Sequence, residues 1–157
     1  MRIGVISDTH GYLDPRAAVA LQGVARILHA GDIGDPAIID ALAAIAPVDA
    51  VYGNVDVGTP LGRRYPASRP IVIEDVRIYI THIGGQPAAL ARALPQPQPD
   101  VYIFGHTHVA LLEMLGGVLF LNPGAAGRPR FGGGISVAIL DVEAGRAEAR
   151  IVPLAAL

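Results

Sequence analysis

Short apolar runs alternate with Ala-rich stretches through the first half of the chain, and apolar runs dominate the second half. The pattern predicts a strand over about residues 2–7, a helix over 15–21, a strand over 25–29, a helix over 36–45 and a strand over 49–52. Both helices open on an Asp-Pro pair, Asp14-Pro15 and Asp35-Pro36. The aspartate suits the cap position and the proline suits the first turn. Residues 54–70 are rich in Gly, Pro and Arg without periodicity, so a long loop is expected, a feature that is often functional. Strands follow at about 71–73 and 77–81, then a short helix over 87–94 stopped by Pro95. The stretch Pro95-Gln96-Pro97-Gln98-Pro99 is a stiff turn, too short to link domains. Beyond Asp100 the chain reads as strands at 101–104, 111–115, 118–121, 135–140 and 147–152, with Gly116-Gly117 as a hairpin turn. Alternation followed by hairpins implies an α/β protein with a mixed sheet system and helices outside it.

The chain has 157 residues, which suits one domain over 1–157 with a substantial core. Apolar residues make up 52% of it, but no run approaches the roughly 18 needed to span a membrane. The first residues enter a strand directly, so no leader peptide is expected and a cytoplasmic address is the default. Cysteine is absent, which excludes disulfides, thiolate metal sites and cysteine nucleophiles. All twelve basic residues are Arg, so mechanisms that need a P-loop or Schiff-base lysine are excluded as well. A net charge of -2 argues against an extended nucleic-acid surface, but not against a small anion site.

The polar residues that carry chemistry sit at the ends of apolar strands. Asp8-Thr9-His10, Gly31-Asp32, Gly53-Asn54, His82 and Gly105-His106-Thr107-His108 each follow one. Strand carboxyl ends converge on the ligand crevice of open α/β sheets, so two Asp, one Asn and four His are expected to share one cleft. These are all metal-ligand types, and oxygen with imidazole nitrogen suits Mn, Fe, Co, Ni or Zn. Gly31, Gly53 and Gly105 let backbone pass close to the residues that follow them.

In that order, Asp8-x-His10, Gly31-Asp32, Gly53-Asn54-x-Asp56, His82 and Gly105-His106-x-His108 resemble the calcineurin-like metallophosphoesterase superfamily. The short length, with the segments Leu28-His29-Ala30-Gly31-Asp32 and Asn122-Pro123-Gly124, resembles its small bacterial and archaeal phosphodiesterase group. The resemblance covers nearly the whole chain. It implies a four-layer αββα sandwich, two mixed β-sheets face to face with helices on both outer sides. It implies one divalent ion on Asp8, His10, Asp32 and His108, and a second on Asp32, Asn54, His82 and His106. Manganese is the favoured ion. A hydroxide bridging the two ions would attack a small phosphodiester in line with the leaving oxygen. Asn54, His82 and Asp56 are the candidate catalytic residues, and Arg128 and Arg130 are the candidate substrate contacts.

The pattern departs from that family in three places. Many relatives carry His after the motif Asn, where this chain has Val55, which cannot donate a proton. Losing a general acid typically costs about 100- to 10,000-fold with poor leaving groups. Ala125 stands where Ser is common, and Ile83-Gly84-Gly85 after His82 leaves the shape of that loop open. Asp56 either orients Asn54 or a metal-bound group, or is a solvated turn carboxylate. Arg128 and Arg130 either bind phosphate or are solvated loop charges, and Arg63, Arg64 and Arg69 read as surface charges. His29 reads as a packed or supporting histidine rather than a ligand. Thr9, Thr81 and Thr107 either donate hydrogen bonds behind the ligands or are structural. The rival functions are a non-catalytic scaffold of the same fold, as in a retromer subunit with a degraded metal site, and a phosphomonoesterase, nucleotide hydrolase or nuclease. A homo-oligomer is the expected assembly.

Overall fold

Helix capping and strand alternation set the framework of the computed structural model, which describes residues 1–130 and 133–157. All ten expected strands form: β1 (Arg2–Ile6), β2 (Arg26–His29), β3 (Val48–Ala50), β4 (Ser68–Ile73), β5 (Val76–Ile83), β6 (Val101–Gly105), β7 (Leu111–Leu115), β8 (Val118–Asn122), β9 (Ser136–Glu143) and β10 (Arg146–Pro153). Helices α1 (Pro15–Ala20) and α2 (Pro36–Ala43) start as their Asp-Pro pairs demand. Asp14 Oδ1 accepts the Arg16 N–H at 2.9 Å, and Asp35 Oδ1 accepts the Ala37 N–H at 2.8 Å. The expected loop over 54–70 holds two further elements, a 3-10 turn (Asn54–Asp56) and helix α3 (Pro60–Arg64). Helix α4 (Pro87–Leu90) is shorter than its sequence suggested.

The strands form two mixed five-stranded sheets, ordered β10-β9-β1-β2-β3 and β4-β5-β6-β8-β7. In the first, β1–β2 and β2–β3 are parallel and β9 runs antiparallel to β1. In the second, β5–β6 and β6–β8 are parallel, with antiparallel β4 and β7 at the two edges.

Period-two alternation then divides the side chains between layers. On β9, Val137 and Ile139 pack toward the helices with Leu21, Ile39 and Leu42. Ala138, Leu140 and Val142 pack between the sheets with Ile3, Val5, Ile80 and Ile103. Truncating a fully buried member of this inter-sheet layer, such as Ile103, to Ala is expected to cost roughly 2–5 kcal/mol. A third cluster, Tyr102, Phe104, Val118 and Phe120, covers the outer face of the second sheet with Leu90 of α4. The layers are therefore helix, sheet, sheet and a thin helical cover. Among the described residues no helix is long and apolar enough to cross a membrane.

Candidate metal centre

Parallel pairing carries the carboxyl ends of β1, β2 and β3 to one edge of the sandwich, where the ends of β5 and β6 meet them. The loops there continue the ladder. The Asp8, His10 and Gly11 N–H groups donate to the carbonyls of Gly31, Asp32 and Ile33 at 3.0, 2.9 and 2.8 Å. Asp8, His10, Asp32, His106 and His108 all have left-handed backbone, with φ of 55°, 49°, 55°, 74° and 63°. Such angles are uncommon outside glycine and gather at functional sites. His82 lies inside β5 rather than beyond its end, in a stretch where the pairing register with β6 shifts between Ile80 and Ile83. That irregularity re-aims the side chain at a strand terminus.

Two interlocked groups result. Ligand atoms of Asp8, His10 and His108 lie within 4.8 Å of one another, as do those of Asp32, His82 and His106. Asp8 Oδ1 is 3.2 Å from His108 Nε2, 3.6 Å from His10 Nε2 and 3.9 Å from His82 Nε2. Asp32 Oδ2 is 3.4 Å from His10 Nε2 and 3.2 Å from His82 Nε2, so it serves both groups. The Nε2 atoms of His10 and His108 face each other at 3.2 Å.

Each carboxylate is aimed by its other oxygen. Asp8 Oδ2 accepts from Ser7 Oγ at 2.6 Å and from the His106 N–H at 3.0 Å, while Asp32 Oδ1 accepts from the Val55 N–H at 3.0 Å. His82 Nδ1 lies 2.8 Å from the Ala30 carbonyl. A carbonyl only accepts, so Nδ1 carries the proton and the lone pair of Nε2 points into the cluster. Asp8 Oδ1 and His82 Nε2 are buried yet have no protein hydrogen bond. Buried polar atoms in that state need an explanation, and an ion between them is one.

Supporting residues lie behind the cluster. His29 is fully buried; its Nδ1 accepts the Gly31 N–H at 3.1 Å, which leaves Nε2 to donate to Thr9 Oγ1, also at 3.1 Å. Thr9 Oγ1 in turn donates to the Ile33 carbonyl at 2.9 Å, so one chain of hydrogen bonds braces both loops. Asn122 is fully buried and donates to the Gly105 carbonyl and to Thr107 Oγ1, both at 3.1 Å, fixing the loop that carries His106 and His108. The tightest approaches require glycine. A Cβ on Gly105 would collide with Ser7 Oγ, and one on Gly53 with Asp32 Oδ1.

Asp56 is neither a solvated carboxylate nor a group facing the cluster. It is fully buried, and its oxygens accept the N–H groups of Ile33, Gly34 and Gly53 at 3.1, 2.9 and 2.9 Å. Its geometry is that of a positioning residue, which clamps the Asp32 loop to the Asn54 turn. Sequence reading offered Asp56 an orienting role toward Asn54 but not its hold on the Asp32 loop, passed over Ser7 and gave Asn122 no role. Their work is done on backbone groups, which residue spacing does not announce.

Charge in the cluster is finely opposed. Burial pushes the Asp8 carboxyl up, but His10, Ser7, His82 and the His106 N–H together hold it below the usual carboxylate range. Asp32 is likewise held low against burial by His82, the Val55 N–H and His10. Burial pulls His82 down, and the two aspartates and the Ala30 carbonyl reverse this. For His29 burial outweighs the pull of Asp8, Asp56 and Asp32 and lowers it to about 4, so it is neutral near pH 7.

The remaining expected residues lie around the rim. Asn54, Val55 and His106 are exposed. Arg128 stacks over the ring of Tyr12, two residues after His10, at 4.2 Å; burial lowers His108, and repulsion from His10 and Arg130 adds to this. Arg69 is paired with Asp49 at 2.9 Å, and Arg64 stacks on Tyr65 at 5.0 Å. Ala125 is buried, so its methyl group packs rather than facing a ligand.

The model of the calcineurin-like phosphoesterase superfamily domain matches residues 1–145. A probable metallophosphoesterase of Methanothermobacter thermautotrophicus is 36% identical over 97% of this chain and 92% of its own length. The solved structure of an archaeal phosphodiesterase superposes with a TM-score of 0.75 at 28% identity, covering 97% of this chain and all (100%) of that one. Vps29 of Chaetomium thermophilum shares the fold, with a TM-score of 0.80 at 20% identity over 97% of this chain and 96% of its own. With the ordered strand-end residues brought to one edge of a double sheet and the sequence match running through all of them, the chain belongs to the calcineurin-like phosphoesterase superfamily.

Proposed function

We propose that the protein is a metal-dependent phosphodiesterase acting on a small phosphodiester. The observation that carries this is the turning of Asp8 Oδ1, Asp32 Oδ2 and the imidazole nitrogens of His10 and His82 toward one another. Crowding such atoms in a buried place is unfavourable unless positive charge lies among them. The donor set fits divalent ions, because carboxylate oxygen and imidazole nitrogen without sulfur suit manganese, iron, cobalt, nickel or zinc. Asp8, His10, Asp32 and His108 would hold one ion; Asp32, Asn54, His82 and His106 would hold the other, with manganese favoured. Ions held there would supply Lewis acidity toward water and the phosphoryl oxygens.

The other roles fall to side chains of this chain. Arg128 and Arg130 are the cations available to phosphoryl oxygens, which guanidinium groups bind in pairs. Asn54 and His82 border an open cavity and are the cluster members best able to touch substrate. Val55 has no proton to give a departing alkoxide, which favours diesters with an acidic leaving group. The assembly we propose is a homo-oligomer. β7 is an edge strand, and Leu112 and Met114, two apart and so on one face, are exposed. Met114→Lys should then sediment as a smaller species than the native sequence; identical sedimentation would remove β7 from the interface.

Hydrolysis of bis(p-nitrophenyl) phosphate by chelator-stripped protein, with and without manganese and beside p-nitrophenyl phosphate, tests the function. Manganese-dependent turnover of the diester, faster than of the monoester, is expected. Faster monoester turnover would make the protein a phosphomonoesterase. No turnover with any of the five metals, and no metal bound, would move the assignment to a non-catalytic scaffold.

A further inference from the structure

The two flanks of the cluster differ in chemistry. On the His10 and His108 side stand Arg128, stacked on Tyr12, and Arg130. On the opposite side a cavity of about 270 Å³ opens beside Asn54 and His82, lined mainly by Tyr52, Val57, Ala67 and Ile83. No Asp, Glu or Arg lines it. The arginines of the neighbouring segment are engaged elsewhere: Arg69 with Asp49, Arg64 on Tyr65, and Arg63 Nη1 on the Gly58 carbonyl at 3.4 Å.

Val57 and Ile83 are 64% and 59% exposed. Scattered apolar side chains on a surface need no explanation. Here they come from two distant segments, the turn after β3 and the end of β5, and meet at a cavity shared with two of the polar site residues. The volume falls just below the roughly 300–1,000 Å³ of sites for whole small molecules, enough for one ring or a branched alkyl group.

From this asymmetry we infer that the cavity is a subsite for an uncharged aryl or branched-alkyl ester group, with the phosphoryl oxygens turned toward Arg128 and Arg130. The inference rests on the phosphodiesterase reading and narrows it. The substrate class is a phosphate ester with one apolar substituent. A polyphosphate or a continuing nucleotide strand would put charge where the protein offers mainly apolar surface and no arginine.

Phosphonates test the subsite by binding alone, because their single P–C substituent is not hydrolysed. Calorimetry on manganese-loaded protein should show phenylphosphonate binding at least about tenfold tighter than methylphosphonate, the scale of a well-filled apolar pocket. Phosphonoacetate, which carries a charged substituent, should bind no better than methylphosphonate. In the double variant Val57→Ser with Ile83→Ser, the phenyl-to-methyl ratio should fall below about threefold, with circular dichroism showing the fold intact. Equal affinities in the native protein, tighter phosphonoacetate, or a ratio untouched by the double variant would overturn the subsite. Lack of diester turnover alongside an intact phenyl preference would instead overturn the phosphodiesterase reading and leave the subsite standing.

Discussion

In the Asp8 half of the cluster, the carboxylate leans back on Ser7 and on the His106 N–H, which comes from the other sheet. In the Asp32 half, the carboxylate leans on the Val55 N–H, and the loop that carries it is clamped by Asp56. Toward solvent the first half meets arginines, and the second meets Val57 and Ile83. The centres are built alike from imidazole and carboxylate, while the supports and margins differ. Chemistry common to a superfamily can thus sit in a shared centre while each flank is free to vary, consistent with function residing in a site rather than in a fold.

The largest effect is expected from Asp32→Ala, because its carboxylate faces histidines of both halves. On the proposed two-ion reading, both ions should be lost and diester turnover should fall about 1,000-fold or more. His108→Ala should remove one ion only. Elemental analysis beside a turnover assay reads both, and full activity in Asp32→Ala would sink the assignment.

Next comes the brace shared by both halves. His29 has a folded pKa of about 4 against 6.5 in its ordinary state. Its neutral form is favoured by folding, so its contribution to stability is present above pH 6.5 and lost as pH falls toward 4. The full difference is about 3 kcal/mol. Asp8, Asp56 and Asp32 face it and soften that loss, while His82 adds to it. Asp8 and Asp32, with lowered pKa values of their own, lose their contributions only below the ordinary carboxylate range. Urea unfolding of the metal-free protein should therefore weaken between pH 6.5 and 4, and His29→Gln should flatten that slope. An unchanged slope would show that His29 is not the group responsible.

Asp56→Ala should separate the halves. It strips three N–H groups of their acceptor around the Asp32 loop and touches nothing on the Asp8 side. Loss of such a supporting partner typically lowers activity or metal affinity about 10- to 100-fold. Metal titration should find the ion of the Asp32 half weakened more; equal weakening of both would mean that the halves do not act separately. The smallest effect is expected from Arg128→Ala. It should raise KM about fivefold with kcat kept, in line with one exposed charge-assisted contact.

The strands were legible because their apolar runs are short and bounded by turn residues, and the Asp-Pro helix starts because their chemistry is local. Helix α3 was not, since its five residues span little more than one turn and show no periodicity. β4 begins at Ser68, earlier than the apolar run implied, because backbone pairing with Thr81 extends it through Pro70 on an edge. Strand order was not legible, as hydrophobic pattern carries no information about neighbours; the family resemblance implied only two mixed sheets face to face. In the site, the aspartates and histidines were legible from their order at strand ends. Ser7 and the role of Asn122 were not, and Asp56 was legible only as an orienting group for Asn54 or a metal-bound group, since what they bind is main chain or a neighbouring ligand. His29 was rightly read as a support, and the pairing of its two nitrogens shows how.

The left-handed backbone at Asp8, His10, Asp32, His106 and His108 sets selection for stability against selection for chemistry. Each such residue costs of order 1–2 kcal/mol that glycine would not incur. A chain optimised for thermal endurance alone would drift toward glycine at these five positions and lose the side chains of the cluster. Retention of all five in the strained form marks where stability has been given up for reactivity. Engineering for heat resistance should accordingly look for its gains away from this edge of the sandwich.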